Sequence, residues 1–272
     1  MADNCRAIGK EDLVSEHKQI GSETLANVRV VLVEPSHPGN IGGAARAMKN
    51  MGLNRLALVN PARFPDPQAQ WRAAGAQDVL ESAEVFDTVP AAISDCQLVI
   101  GTSTRMRRIP WPSGSAEEVA ADVLSAGGLQ VAVLFGRETS GLTNEELQLC
   151  HTHLQIPTAP EYPSLNLAMA VQVVCYELRK QTAAHETAIE GPQSPGWDRP
   201  PATAAQLEGF MEHLRSALEV SGFLDPDNPG QTLTRLRRLF VRAQPDATEL
   251  QMLRGVLTQI EGLVGGTGSQ GE

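Results

Sequence analysis

An α/β domain built on a mostly parallel sheet, followed by a small helical module, is the fold this sequence predicts. Three observations carry that expectation. Apolar, β-branched runs recur along the first 160 residues, several of them continuous, as in parallel strands covered on both faces. Helical stretches alternate with those runs, the pattern of βα units. A segment dense in proline and glycine then separates this region from a last stretch of purely helical signals.

Taken in order, residues 1–26 are polar and aperiodic and read as a flexible tail. "VRVVLVE" (28–34) is the first strand, and a glycine-rich turn leads into a helix near 41–51. "RLALVN" (55–60) follows, then a helix near 68–80 and strands at "AEVF" (83–86) and "QLVIGT" (97–102). A helix near 115–126, the strand run "LQVAVLFG" (129–136), a helix near 143–150 and "HLQIP" (153–157) continue the alternation. The helix at 165–180 is apolar almost all round through Cys175, so the sheet can cover one side and the other needs a partner; a subunit interface is expected there. The α/β domain is placed at 27–186, the linker at 187–202, the helical extension at 203–264 and a disordered tail at 265–272. Thr203 with Gln206 forms a capping-box signature for the first helix of the extension, and Asp246 with Glu249 opens its last.

Composition narrows the function classes. No apolar run reaches the ~18 residues that span a membrane, and the N-terminus lacks an apolar signal-peptide core. The four cysteines stand singly, with no CxxC pair, which fits a reduced, cytoplasmic protein and no metal. His151 and His153 lack carboxylate or cysteine partners in sequence and read as structural or solvent-facing. A net charge of −10 argues against a general nucleic-acid binder. Two local clusters run the other way: Arg105, Arg107 and Arg108 in "RMRR", and Arg235, Arg237, Arg238 and Arg242 in "TLTRLRRLFVRA", where Leu233, Leu236, Leu239 and Phe240 would dock the helix. These are either solvated faces or phosphate contacts.

The turn "EPSHPGNIGGAARAMKNMG" (34–52) lacks both the GK[ST] of a phosphate loop and the G-x-G-x-x-G of a dinucleotide site, which disfavours a nicotinamide oxidoreductase. Asn40 can cap its helix, and amides behind Gly42 and Gly43 can receive an anion. Ile41, Ala44, Ala45 and Met48 make an apolar face; Arg46, Lys49 and Asn50 share the opposite one. On this stretch alone, close helix–strand packing with a surface arginine is the better reading. Three further loops, "GTSTR" (101–105), "FGRETSGLTNEEL" (135–147) and "IPTAPEYPSLNLAMA" (156–170), leave the C-terminal ends of strands, where α/β ligand sites form.

"SHPGNIGGAARAMKNMG", "LFGRETSGL" and "IPTAPEYPSLNLAMAV" resemble the three motifs of the SPOUT class of RNA methyltransferases, in its SpoU-like branch. With the helical extension, the chain looks most similar to the members that methylate the ribose 2′-hydroxyl of nucleotide 32 in the tRNA anticodon loop. Methylation at another tRNA position or of rRNA is the alternative, and a non-catalytic RNA-binding protein of the same fold is a further one. The resemblance implies a C-terminal trefoil knot, a homodimer, a tRNA substrate and S-adenosylmethionine as cofactor. It places the cofactor at Thr102, Ser103, Thr104, Gly136, Ile156, Pro163, Ser164 and Leu165, with Glu138 beside Gly136. It implies catalytic roles for Arg46, Asn40, Glu138 and Asn166: Arg46 on the target phosphate and developing alkoxide, Asn166 orienting the hydroxyl, and Glu138 fixing Arg46 or a group of the partner subunit.

Overall fold

Seven strands pair in one all-parallel sheet, in the order β3-β2-β1-β6-β4-β7-β5. They are β1 (Val28–Val33), β2 (Arg55–Val59), β3 (Glu84–Phe86), β4 (Leu98–Thr102), β5 (Ser113–Ser115), β6 (Val131–Phe135) and β7 (Thr152–Gln155). The computed structural model describes residues 24–103, 111–187, 200–227 and 230–266.

Every residue of β1 and β6 is buried, because each lies between two strands and under helices on both faces. Val28, Val30 and Leu32 face one apolar core; Val31 and Val33 face the other. Arg29 interrupts the alternation on the second side. Its guanidinium, 5% exposed with the rest of the residue, donates to both oxygens of Asp95 (2.6 and 3.0 Å) and to the Ala92 carbonyl at 2.8 Å. That satisfaction is what a buried cation requires.

The first face carries α1 (Pro38–Asn50), α2 (Pro67–Ala73), α3 (Gln77–Glu81), α5 (Ala116–Ser125) and α7 (Leu167–Thr187). The second carries α4 (Val89–Ile93) and α6 (Asn144–Gln148). Beyond them α8 (Ala204–Val220), α9 (Thr232–Ala243) and α10 (Ala247–Gly266) enclose a third core around Phe210, Met211, Val241 and Leu250. Phe210 and Phe240 meet edge to face at 4.6 Å. This module is fastened to the sheet domain by Ala204 N–H donating to the Cys96 carbonyl (2.9 Å) and by Trp111 packing on its core. The capping boxes expected at Thr203/Gln206 and Asp246/Glu249 are formed.

Several expectations are corrected. The helix expected at 68–80 is two, α2 and α3, split where Ala74 and Gly75 both take positive φ. β5, of sequence Ser-Gly-Ser, and the five-residue α4 have no apolar periodicity to announce them. Of the tail placed at 1–26, Thr24–Ala26 form a helical turn with Leu25 buried in the first core, and the rest lies outside the described residues. α7 continues to Thr187 and α10 to Gly266, past the boundaries of linker and tail. Most of the linker falls outside the described residues.

α7 covers the first core with Leu167, Val171, Val174, Cys175 and Leu178. Its outer side leaves Met169 63% and Tyr176 51% exposed. Val174, on the helix where an interface was expected, is packed inside the chain's own first core.

Candidate active site

β6, β4 and β7 are neighbours in the sheet, so the loops leaving their C-terminal ends converge. They enclose a cleft of about 450 Å³, lined on one side by Thr102 and Ser103, on another by Gly136–Leu142, and on a third by Ile156, Thr158, Pro163, Ser164 and Leu165. Seven of the eight positions assigned to a cofactor from sequence are brought together here: Thr102, Ser103, Gly136, Ile156, Pro163, Ser164 and Leu165. The eighth, Thr104, lies outside the described residues, as do Arg105, Arg107 and Arg108. The size suits a nucleoside-sized ligand, and the lining mixes apolar wall with backbone and hydroxyl groups.

The loop after β6 is closed on itself. Arg137 N–H donates to the Gly141 carbonyl (3.2 Å) and Gly141 N–H to the Arg137 carbonyl (2.9 Å). A β carbon at Gly136 would lie 2.1 Å from the Gly141 carbonyl carbon, so only glycine permits the ring. Arg137 anchors it from outside, donating to Glu34 at 2.8 Å and to both oxygens of Glu146 at 3.0 Å. Hydrogen bonds from Arg137 hold the Glu34 carboxyl below its ordinary range. Sequence reasoning missed Arg137; the acid directly after β1 and the acid in the capping box of α6 were its signal.

Glu138, next in the ring, reaches across to the start of α1. Its carboxylate accepts from Ser36 N–H (3.0 Å), Ser36 Oγ (3.0 Å), His37 N–H (3.3 Å) and Asn40 Nδ2 (3.0 Å). Burial pushes its pKa up, but the bonds from Asn40 and Ser36 outweigh that and hold it below the ordinary value. Asn40 Oδ1 in turn accepts from Asn166 Nδ2 at 2.9 Å, and Asn166 Oδ1 accepts from Ala168 N–H at 3.0 Å. One polar chain therefore runs from the ring after β6, through the first turn of α1, to the start of α7.

Three expectations change with this chain. Asn40 is not the helix cap; His37 is, its ring accepting from Gly39 N–H, with Pro38 at the first helical position. The amides of Gly42 and Gly43 lie inside the helical ladder, and the anion at the helix start is Glu138 itself. Glu138 does not fix Arg46. Arg46 is exposed and, among the described residues, has no hydrogen-bond or ion-pair partner. Lys49, by contrast, is held by Asp78 at 2.7 Å.

His151 and His153 are both buried. Val99 N–H donates to His151 Nδ1 at 3.0 Å, and burial pushes this imidazole down to about 4. His153 stacks on Trp111, with its Nε2 3.0 Å from the Leu147 carbonyl. Among the described residues no group of three or more histidines, cysteines or acids could hold a metal ion. No helix there is long and apolar enough to cross a membrane.

On α9 the arginines divide. Arg237 is clamped to Glu208 of α8 at 2.8 Å, while Arg235 and Arg242 are exposed. Leu239, expected to dock the helix, is 46% exposed, and Val241 takes the buried place.

The family model of the SpoU rRNA methylase family matches residues 27–176, and the model of the TrmJ C-terminal domain matches residues 205–269. The chain is 50% identical over 238 residues to the tRNA (cytidine/uridine-2′-O-)-methyltransferase TrmJ of Escherichia coli K12, covering 87% of this chain and 96% of that one. Its fold is similar to the crystal structure of TrmJ from Z. mobilis ZM4, with a TM-score of 0.73 and 36% identity, over 86% of this chain and 98% of that chain. A probable methylase family protein from Haemophilus influenzae Rd KW20 matches with a TM-score of 0.61 and 42% identity, over 89% and 99%.

Proposed function

The chain belongs to the SpoU methylase family, and on that premise we propose that it transfers a methyl group from S-adenosylmethionine to a ribose 2′-hydroxyl of tRNA. The observation that carries the reading is the cleft at the ends of β6, β4 and β7, joined by hydrogen bonds to the helix that bears the exposed Arg46. The acceptor we assign is the cytidine or uridine at position 32 of the anticodon loop, supported by the sequence likeness over both the sheet domain and the helical extension.

S-adenosylmethionine supplies an electrophilic methyl group; Thr102, Ser103, Gly136, Ile156, Pro163, Ser164 and Leu165 would hold it. The protein's own task is alignment and charge. Orientation of reacting groups can lower a barrier by as much as ~7–11 kcal/mol. The Arg46 guanidinium binds the phosphate beside the target ribose and stabilises the negative charge that develops on the attacking oxygen. Asn40, Glu138 and Asn166 spend their polar atoms on one another and on the backbone. Their role is positioning: they fix α1, and so Arg46, relative to the cleft.

Three finer assignments belong to this proposal. The chain works as a homodimer through the outer side of α7, supported by exposed Met169 and Tyr176. The test residue is Tyr176→Glu, because Val174→Glu would disrupt the subunit's own core. The knot is supported by β7 lying between β4 and β5, which sets the loop after β7 against the one after β4. A cytoplasmic location is supported by Cys96, Cys150 and Cys175 standing as free thiols.

Incubation with methyl-labelled S-adenosylmethionine and unfractionated tRNA, in the presence of EDTA, tests the proposal. Label is expected in the RNA at an undiminished rate. No transfer, or transfer abolished by the chelator, would overturn it.

A further inference from the structure

We propose that Trp71 on α2 is a stacking platform for an unpaired base of the RNA substrate, with Arg72 next to it and Arg63 in the loop before α2 as phosphate contacts. The proposal rests on the RNA-methylating reading above and adds to it the surface that receives the strand.

Trp71 is 79% exposed, although it sits on a seven-residue helix whose Ala69 and Ala73 are buried. A large apolar ring left in water costs stability and packs nothing in this subunit. Its surroundings are cationic on an otherwise acidic protein. From Pro35 to Ala74 the chain carries Arg46, Lys49, Arg55, Arg63 and Arg72 against one acid, Asp66. Asp66 is spent capping α2, where it accepts from Gln68 N–H at 2.8 Å. Among the described residues Arg46, Arg63 and Arg72, all exposed, have no hydrogen-bond or ion-pair partner.

Packing places Arg72 and Arg46 around the site. A β carbon at Gly42 would lie 2.0 Å from the Ala69 carbonyl oxygen, and one at Gly39 would lie 3.6 Å from Arg72 Cγ. The two helices thus run in opposite directions in close contact, and the stem of Arg72 lies over the first turn of α1. That turn is the one bound to Glu138 and, through Asn40, to Asn166. Gly43 faces Ala168 of α7, 2.9 Å from a β carbon there. Arg46 is seven residues beyond Gly39, hence on the same side of α1 and about 10 Å along it, between the stripes that meet α2 and α7. A strand passing Arg46 towards the cleft runs beside α2. A base turned out of that strand meets an indole face flanked by guanidinium groups, the combination that holds single-stranded RNA through stacking and phosphate contacts.

Steady-state kinetics with unfractionated tRNA, repeated over a range of salt, test this. Trp71→Ala is expected to raise KM for tRNA about thirty-fold, the middle of the range for one stacked base. Its kcat and its affinity for S-adenosylmethionine should stay within about two-fold. Trp71→Phe should recover most of the loss. The salt slope of tRNA binding should be unchanged in Trp71→Ala but smaller by about one unit in Arg72→Ala, because only the second removes a phosphate contact. Tryptophan fluorescence should be quenched by tRNA in the wild type and much less in Trp71→Phe. An unchanged KM and an unchanged quench would overturn the proposal. So would a weakened dimer on sedimentation of Trp71→Ala with tRNA binding intact, which would make the ring a protein contact. A wild-type enzyme that fails to methylate tRNA defeats the underlying reading, whereas the fluorescence comparison still decides whether Trp71 meets RNA.

Discussion

The two ends of α1 are built on opposite terms. At its start, polar groups are bound within the protein: His37 caps, Asn40 bridges, and Glu138 accepts from four donors. Further along, Arg46 stands exposed without a partner among the described residues. The bound end is scaffolding, made before substrate arrives, and needs no reorganisation at the moment of reaction. On the function proposed above, the free end would hold its charge for a substrate that brings its own phosphate. Motif residues that are neighbours in sequence therefore divide between positioning and contact, and the hydrogen bonds decide which is which.

Removing the free charge should have the largest effect. Arg46→Ala is expected to lower methyl transfer by about 10²–10³-fold, the loss typical of one preorganised donor. Its melting temperature and its affinity for S-adenosylmethionine, read by calorimetry, should barely move. Arg46→Lys should recover only part of the rate, since an ammonium lacks the bidentate fork. Glu138→Gln attacks the bound end and should do the reverse in kind. Stability should fall by about 1–3 kcal/mol as donors lose a charged acceptor, with a melting shift of several degrees. Transfer should drop by roughly ten-fold or more through misplacement of α1.

A smaller effect is expected on α9. Together Arg235→Ala and Arg242→Ala should lower the salt slope of tRNA binding by about two units and leave cofactor affinity unchanged. Arg237→Ala should instead cost about 0.5 kcal/mol or less of stability, because its side chain is spent on a partly exposed Glu208. The smallest effect concerns pH. Glu138 has its folded pKa lowered from 4.5, so its stabilising contribution is complete above 4.5 and is lost only as pH falls through the lower folded value. Thermal scans of wild type and Glu138→Gln between pH 8 and 5 should keep a constant separation and converge only in more acid solution.

Much of the fold was legible because strand and helix signals are strong where both faces are covered. β6 is an unbroken apolar run and β1 nearly one, and the capping boxes of α8 and α10 are short, local signatures. β5 and α4 were illegible because three to five residues cannot display a period. The cleft was legible as a set of loops, since strand ends gather ligand sites in parallel sheets. Which polar atom meets which was not. Asn40 looked like a cap because its type and place allow it, but Pro38 at the first helical position hands that task to His37. Glu138 and Asn40 are 98 residues apart, a distance over which sequence patterning has no reach.

The reaction is defined by its acceptor atom, and identifying the methylated nucleoside tests that atom most directly. Transfer RNA labelled by the enzyme from methyl-labelled S-adenosylmethionine would be digested to nucleosides and the product identified by mass. The expected product is 2′-O-methylcytidine or 2′-O-methyluridine, with the label mapping to position 32. Label carried on a base, with the ribose unmodified, would contradict it.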